Sequence, residues 1–208
     1  MKTKKQLWWL FIFFQYIFLC ANATSCFYYQ NNANLKNNQN KNFYSLTKET
    51  IKEIIDGDTL KTSKNELIRL QGIDTPESRR WLNDTWIPTH GIENSWALKA
   101  KNFLKQIILK HKYIIYVDRK FQKCDHYKRT VTQIFDLNKK SINLEIIKKG
   151  LARVNYISLN YKSIYYTSNT NYYFQLLNNE QLARKNKYGF WAQNEKINQI
   201  FKSKAIKN

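Results

Sequence analysis

The sequence predicts an α+β protein in which a five-stranded Greek-key barrel is accompanied by about three helices. Three short apolar runs joined by tight turns predict a β-meander near the start of the folded body. A stretch with apolar residues at helical spacing follows, and then come two more strands and two more helices. This order, with one helix between the third and fourth strands, is typical of small barrels of the OB type.

The meander is predicted from residues 49–71. A strand at 49–55 ends at Asp56-Gly57, a common turn pair, and a second strand covers 59–62. Another turn at 63–66 leads to a third strand at 67–71. Strand alternation there puts Arg69 on the face opposite Ile68 and Leu70.

The first helix follows an irregular segment at 77–93, whose Trp81 and Trp86 we expect to pack over the site or the barrel. Asn94 or Ser95 is suited to cap the helix. One apolar face is predicted to be core, and it comprises Trp96, Ala100, Phe103, Leu104, Ile107 and Ile108.

The second half of the body contains strands predicted at 113–118 and 129–137, separated by a charged loop. Asn143 is predicted to cap a short helix that ends at Gly150. An extended segment at 152–157 and a last helix at 172–186 follow. The Lys-rich stretch after Glu195 is expected to be frayed, and His111 is expected at the surface.

The chain is predicted to divide into four segments. Three lysines, an apolar run and Ala21-Asn22-Ala23 have the layout of a secretory signal peptide over 1–23. An uncleaved membrane anchor is the alternative for this segment. An Asn- and Lys-rich linker covers 24–45, the folded domain 46–195, and a basic tail 196–208. Cleavage would make the protein secreted or extracytoplasmic.

The net charge of +20 favours a polyanionic partner, either nucleic acid or an anionic membrane surface. An A/T-rich genome is an alternative source of part of this basicity, because Lys, Asn, Ile and Tyr all have A/T-rich codons. After signal cleavage, Cys26 and Cys124 would remain, either as a disulfide or as two thiols. No Cys/His spacing suits zinc.

Acidic residues cluster at the turns of the meander. Asp56 and Asp58 flank Gly57, while Asp74 and Glu77 surround Thr75-Pro76. Arg69 stands in the strand between them, and its planar guanidinium suits a phosphate. Carboxylate oxygens suit a hard cation such as Ca²⁺ or Mg²⁺. The pattern therefore indicates an anionic ligand that a metal and an arginine hold together, although two ordinary hairpin turns would use the same residues.

Five motifs, in order, resemble those of the staphylococcal nuclease family over most of residues 46–192. The first two are Ile54-Ile-Asp-Gly-Asp-Thr59 and Ile68-Arg-Leu-Gln-Gly-Ile-Asp-Thr-Pro-Glu77. The others are Asp125-His-Tyr-Lys-Arg129, Asn143-Leu-Glu-Ile-Ile-Lys-Lys-Gly-Leu-Ala-Arg-Val154, and Glu180-x-x-Ala-Arg184 with Gly189-Phe-Trp191. The resemblance implies an OB-fold nuclease that uses Ca²⁺ to hydrolyse phosphodiester bonds in DNA and RNA, and we expect a monomer.

The resemblance also implies roles for individual residues. Metal ligands would be Asp58, Asp74 and the Thr75 carbonyl. The phosphate-binding arginines would be Arg69 and Arg129, with Glu77 as general base.

Three further positions follow from the same resemblance. Asp56 would lie beside the metal site, and Tyr127 and Tyr156 would line the nucleotide pocket. Lys128 replaces a usual glycine, and Ser158 stands where a second pocket tyrosine is expected. The alternative hypothesis is a non-catalytic nucleic-acid-binding OB module.

Overall fold

The structure is a computed structural model and describes residues 45–192 and 197–202. The predicted signal segment and all but the last residue of the predicted linker lie outside the described residues. The elements in chain order are β1 (Leu46–Ile54), β2 (Thr59–Thr62), β3 (Leu67–Leu70), β4 (Ile73–Asp74), β5 (Arg79–Leu82), β6 (Thr85–Pro88), α1 (Gly91–Lys110), β7 (Ile114–Asp118), β8 (Lys123–Cys124), β9 (Thr130–Thr132), β10 (Ile134–Phe135), α2 (Ile142–Lys148), β11 (Arg153–Val154), α3 (Thr170–Lys185) and α4 (Ile197–Ile200), with a 3-10 turn at Gly189–Ala192 before α4.

The main sheet has the strand order β10-β7-β1-β2-β3-β9-β8. Its pairs are antiparallel except β3–β9, which is parallel. Strands β9 and β10 belong to one stretch of chain, 130–135, that bonds to both sides of the sheet. Within it, Thr132 O accepts a hydrogen bond from Gln71 N at 2.8 Å, and Gln133 O accepts one from Asp118 N at 3.0 Å. This arrangement confirms the predicted α+β fold of the OB type.

Strand β1 pairs with two strands, β7 and β2, because it is bent. Residues 46–50 pair with β7, whereas residues 51–54 pair with β2. The register shifts between Ile51 and Glu53, which marks a β-bulge. Bulges bend and twist a strand, so this one allows β1 to continue round the curve of the sheet.

Helix α1 lies against the sheet through the predicted apolar face. Trp96, Ala100, Leu104 and Ile108 are buried with Leu60 and other strand residues. The helix begins at Gly91 with His90 as N-cap, so the predicted start near Asn94 was too late. In the described ranges, no helix is both long enough and apolar enough to cross a bilayer.

Asn143 has a different role from the predicted cap. Ser141 caps α2, where its Oγ accepts a hydrogen bond from Leu144 N. Asn143 is fully buried, donates from Nδ2 to Gln71 O at 3.1 Å and accepts from Ile134 N at 3.0 Å. It therefore ties α2 to both β10 and the end of β3, where a buried polar side chain must find partners.

The segment expected to be irregular at 77–93 contains a β-hairpin, β5–β6. Its Trp81 and Trp86 remain 54% and 53% exposed, so the prediction that they pack over the barrel was wrong. Asn83 and Asp84 both have positive φ, at 48° and 57°, as a two-residue type I′ turn requires. This turn fixes the register of the two strands.

Two other surface predictions were also wrong. His111 is buried at the end of α1, with Nε2 3.4 Å from Asp136 Oδ2. Ile200 and Phe201 are buried in the core, so the chain after Glu195 includes an ordered turn of helix rather than only a frayed tail. An isolated apolar pair among lysines gives too weak a sequence pattern to predict such docking.

Candidate active site

Asp58 joins the start of β2 to the loop after β4. It is buried, and its Oδ2 accepts hydrogen bonds from Thr75 N at 2.8 Å and from Thr75 Oγ1 at 2.9 Å. Its Oδ1 accepts one from Thr59 Oγ1 at 3.1 Å. The two predicted carboxylate motifs are therefore in direct contact, although 17 positions separate Asp58 from Thr75.

Gly57 is required for this contact. A Cβ atom there would lie 2.7 Å from Ala100 Cβ on α1 and 3.0 Å from the Thr75 side chain. Both are too close for carbon atoms, so only glycine lets the acidic turn fit between α1 and Thr75.

Arg69 bridges the two predicted metal carboxylates. Its Nη1 lies 2.8 Å from Asp58 Oδ2, and its Nη2 lies 3.6 Å from Asp74 Oδ1. Asp74 is fully buried and Arg69 nearly so. Burial alone would lower the pKa of Arg69, but the charges of Asp58 and Asp74 raise it overall. Arg69 therefore stays protonated at any relevant pH.

Asp74 has a second basic partner that the sequence analysis missed. Arg153 Nε lies 2.9 Å from Asp74 Oδ2, and Asn155 Nδ2 lies 3.4 Å from the same oxygen. Strand pairing between β4 and β11 places Arg153 opposite Asp74. Arg153 lies within the recognised Asn143–Val154 motif and Asn155 directly follows it, but nothing in the spacing of that motif indicated Asp74 as their partner.

Asp56 and Glu77 complete a group that we call the acid cluster, comprising Asp56, Asp58, Asp74 and Glu77. The Asp56 carboxyl is surrounded by protein, although part of the residue touches solvent. Burial, and then the charges of Asp58 and Glu77, raise the pKa of Asp56 to about 8. Asp56 Oδ1 also accepts a hydrogen bond from Asp58 N at 3.1 Å.

Glu77 is placed by the start of the hairpin. Its backbone carbonyl accepts a hydrogen bond from Thr89 Oγ1 at 2.5 Å, and its side chain is half-buried. The charge of Glu77 raises the pKa of both Asp56 and Arg69. Glu77 is therefore close enough for its charge to act on both side chains.

Arg129 and Tyr127 lie on a separate loop before β9. Asp125 Oδ1 accepts backbone hydrogen bonds from Tyr127 at 3.0 Å and Arg129 at 2.9 Å, and Oδ2 binds the Arg129 guanidinium at 2.8 Å. Lys128 adopts φ 60°, so it occupies the left-handed position of the usual glycine and the turn is kept. Because Arg69 is opposite Val131, strand alternation puts Arg129 on the same face as Arg69.

The two predicted pocket tyrosines are both exposed. The Tyr127 ring is 56% exposed and lies 5.1 Å from the Arg129 guanidinium carbon. Tyr156 is 38% exposed and adopts φ 56°. Its ring lies 5.2 Å from that of Tyr165, which is brought close when Ser158 N donates to Tyr165 O. The loop after Ser158 thus places the Tyr165 ring near position 158, where a pocket tyrosine was expected.

The donor set of the cluster fits a hard divalent cation. In the described part of the chain, no three His, Cys, Asp or Glu residues form a metal-binding group. Carboxylate and backbone carbonyl oxygens, the atoms that this cluster offers, are the ligands that such a cation prefers. The acids are crowded here, because burial and the charges of Asp58 and Glu77 raise the pKa of Asp56 to about 8, and a bound cation would relieve that crowding.

The fold and the mixed acid–arginine site define an OB-fold protein in which buried carboxylates and arginines are in direct contact. The family described as "Staphylococcal nuclease homologue" matches residues 67–193. The chain belongs to this family, which confirms the predicted family and the predicted enzyme class, a hydrolytic nuclease.

Three similar proteins illustrate the range of the family. The uncharacterized protein MJ1439 of Methanocaldococcus jannaschii is 33% identical over 67% of this chain and 69% of its own length. The SPbeta prophage-derived endonuclease YokF of Bacillus subtilis is 29% identical over 72% of this chain, but the match spans only 45% of YokF. The thermonuclease of Staphylococcus intermedius is 28% identical over 68% of this chain and 74% of its own length.

Proposed function

We propose that the protein is a secreted, calcium-dependent nuclease that hydrolyses phosphodiester bonds in DNA and RNA. The observation that carries the proposal is that Arg69 lies between the buried carboxylates of Asp58 and Asp74, on the sheet face where strand alternation also puts Arg129. A cation-binding group beside two phosphate-binding arginines is what phosphodiester hydrolysis requires.

In this proposal Asp58, Asp74 and the Thr75 carbonyl hold Ca²⁺. A bound Ca²⁺ would supply positive charge against the oxygens of the scissile phosphate. Few protein ligands imply weak binding, of the order of 10⁻⁴–10⁻³ M, as in extracellular modules. Arg69 contacts both carboxylates, so it positions them and presents its positive charge at the same place.

Arg69 and Arg129 would stabilise the charge that develops on the phosphate. An ion pair with the buried Asp58 fixes Arg69, whereas an ion pair with Asp125 fixes Arg129 on the loop before β9. Two guanidinium groups fixed before the substrate arrives need little reorganisation as that charge develops.

Glu77 is the proposed general base that takes the proton from the attacking water. Its half-buried carboxylate, close to Asp56 and Arg69, is suited to reach such a water. Asp56 supports Asp58 through the hydrogen bond to its backbone. Tyr127 and Tyr156 would contact the nucleotide, with Tyr165 beside Tyr156.

Secretion is proposed from the N-terminal segment. Removal of residues 1–23 would release the protein outside the cytoplasm, where Ca²⁺ is abundant. The intact mass of the mature protein tests this part, because a start at Thr24 would exclude a membrane anchor. Retention of the apolar run would instead support an anchored nuclease.

Cleavage of single-stranded DNA and RNA, with Ca²⁺ or with a chelator, tests the activity. We expect cleavage only with Ca²⁺, and large losses for Glu77→Gln and Arg69→Ala. Glu53→Gln, on the exposed side of β1, is the matched control and should cleave normally. Tight binding without any cleavage at millimolar Ca²⁺ would instead favour the non-catalytic OB module.

A further inference from the structure

The hairpin β5–β6, residues 79–88, has one face with no role in the fold described above. Register pairs Trp81 with Trp86 and Arg79 with Pro88. Side chains alternate along a strand, so these four share one face. Arg80 and Ile87 point to the other face and are partly buried. Leu82 and Thr85, nearer the turn, share that second face but are exposed, so the hairpin packs only through Arg80 and Ile87. All four residues of the first face are exposed, and we call it the Trp face.

The Trp face combines two exposed indoles with a cation. The two rings lie 5.3 Å apart in a T-shaped arrangement, and the Arg79 guanidinium lies 4.6 Å from the Trp86 ring. Each indole remains more than half exposed despite these contacts. Single exposed aromatics are common on soluble proteins, whereas a paired group with a cation is a feature of binding surfaces.

The hairpin starts directly after the proposed general base. Arg79 is two residues beyond Glu77, and Trp81 is two residues further, at most about 13 Å along an extended chain. Thr89 closes the base of the hairpin, because its Oγ1 donates to Glu77 O and its backbone N donates to Ser78 O at 3.0 Å. The Trp face is therefore attached to the loop that carries Glu77.

We propose that the Trp face is a subsite for unpaired nucleotides of the substrate, close to the bond that is cleaved. Indole rings stack on unpaired bases, and Arg79 complements the phosphate backbone. Bases in a duplex are already stacked on one another and would gain little from this surface. The inference rests on the proposed function and adds to it a preference for single-stranded DNA or RNA.

Binding without cleavage gives the direct test. In a Glu77→Gln background, fluorescence anisotropy would measure Kd for labelled single strands of about twelve nucleotides, for a dinucleotide and for a duplex of the same sequence. Trp81→Leu/Trp86→Leu keeps apolar bulk, while Trp81→Phe/Trp86→Phe also keeps an aromatic face. Phe174→Leu removes an aromatic that is 54% exposed on α3, and it is the matched control.

We expect the Leu pair to weaken binding of the long single strand about tenfold or more. The Phe pair should stay within about threefold of the parent, and the dinucleotide and duplex should change little. Arg79→Ala leaves both indoles in place. It should reduce the slope of the logarithm of the binding constant against the logarithm of salt concentration by about one unit. Phe174→Leu should bind as its parent does.

Equal Kd values for the Leu and Phe pairs would overturn the subsite, as would equal losses on single strands and duplex. The subsite and the nuclease can also fail separately. If the wild-type protein never cleaves but the Leu pair still weakens single-strand binding, the subsite stands and the nuclease proposal fails. If the wild type cleaves and its Leu pair binds normally, only the subsite fails.

Discussion

Two clusters of arginine and carboxylate lie on the same sheet, and they differ in how closely their acids are crowded. The Arg119 network comprises Glu49, Lys64, Glu66 and Arg119, so its two acids face two bases. In the acid cluster, Asp56, Asp58, Asp74 and Glu77 lie together with Arg69 and Arg153, and the neighbouring charges help to raise the pKa of Asp56. Both clusters have well-formed ion pairs, so the presence of an ion pair does not distinguish a structural site from a functional one.

The Arg119 network is fully neutralised by its own contacts. Arg119 makes two bonds to Glu66, at 2.6 and 2.9 Å, and one to Glu49 at 3.0 Å. The hydrogen bond from Arg119 is the main cause that lowers the pKa of Glu66. In the acid cluster, the opposite happens to Asp56, whose pKa burial and the neighbouring acids raise. Burial and neighbouring acids disfavour the charged form of a carboxyl group, and the proposed cation would relieve that effect in the acid cluster.

The largest difference between the clusters should be in catalysis. Glu77→Gln should lower the cleavage rate by roughly 10²–10⁴-fold, because a general base is lost. Glu66→Gln makes the same chemical change in the Arg119 network and should cleave at close to the wild-type rate. Initial rates on single-stranded DNA would measure both, and a comparable loss in the two variants would remove the proposed distinction.

The second difference should be in the response of stability to Ca²⁺. Arg69→Ala and Arg119→Ala should each lower the free energy of unfolding, by about 3 and about 2 kcal/mol, because Asp58 and Glu66 respectively lose the arginine that contacts them. Asp74 keeps Arg153, and Glu49 keeps Lys64. Ca²⁺ should restore part of the loss only for Arg69→Ala, since the proposed Ca²⁺ site includes Asp58. Urea unfolding with Ca²⁺ or with chelator measures this, and equal restoration in both variants would contradict it.

Gly57→Ala should disturb the acid cluster without removing any charge. Its Cβ would meet Ala100 Cβ at 2.7 Å and the Thr75 side chain at 3.0 Å, so the acidic turn must move. We expect a loss of about 1–3 kcal/mol and a lower Ca²⁺ affinity. Gly91→Ala is the control for Ca²⁺ affinity. A Cβ there meets nothing within 4 Å, but the φ of 64° strains alanine, so this variant should lose stability without a change in Ca²⁺ affinity. Unchanged stability and Ca²⁺ affinity in Gly57→Ala would show that the turn tolerates displacement.

The smallest expected effect is the loss of stability from the Arg119 network at acid pH. The folded pKa of Glu66 lies below its ordinary value of 4.5, so its contribution to stability is present above that value. It is lost as pH falls from about 4.5 through the lowered pKa. Thermal unfolding should therefore show a flatter acid limb in Glu66→Gln. An identical acid limb in both proteins would exclude Glu66 as a contributor.

The proximity of Asp58 and Arg69 could be predicted because their short motifs form neighbouring strands. Asp58 and Arg69 flank a single tight meander, so local turns bring them close. Arg153 could not be placed, because its contact with Asp74 depends on a strand pairing between distant parts of the chain.

Other misses have local reasons. The hairpin β5–β6 has a turn signal, Asn83-Asp84, between two Trp-containing runs. The polar composition of the whole segment nevertheless favoured a loop. Asn143 was misread because a buried amide and an N-cap use the same residue type, and only the packing of α2 distinguishes them.

The central claim, a proposal, is that the acid cluster binds Ca²⁺. Thermal unfolding of the wild type, Asp74→Asn and Glu66→Gln, each titrated with Ca²⁺, tests it without any dependence on cleavage. At about ten times Kd, Ca²⁺ should stabilise the wild type and Glu66→Gln by about 1.4 kcal/mol, and Asp74→Asn by much less. Equal stabilisation of all three proteins, or none of the wild type at millimolar Ca²⁺, would contradict the claim.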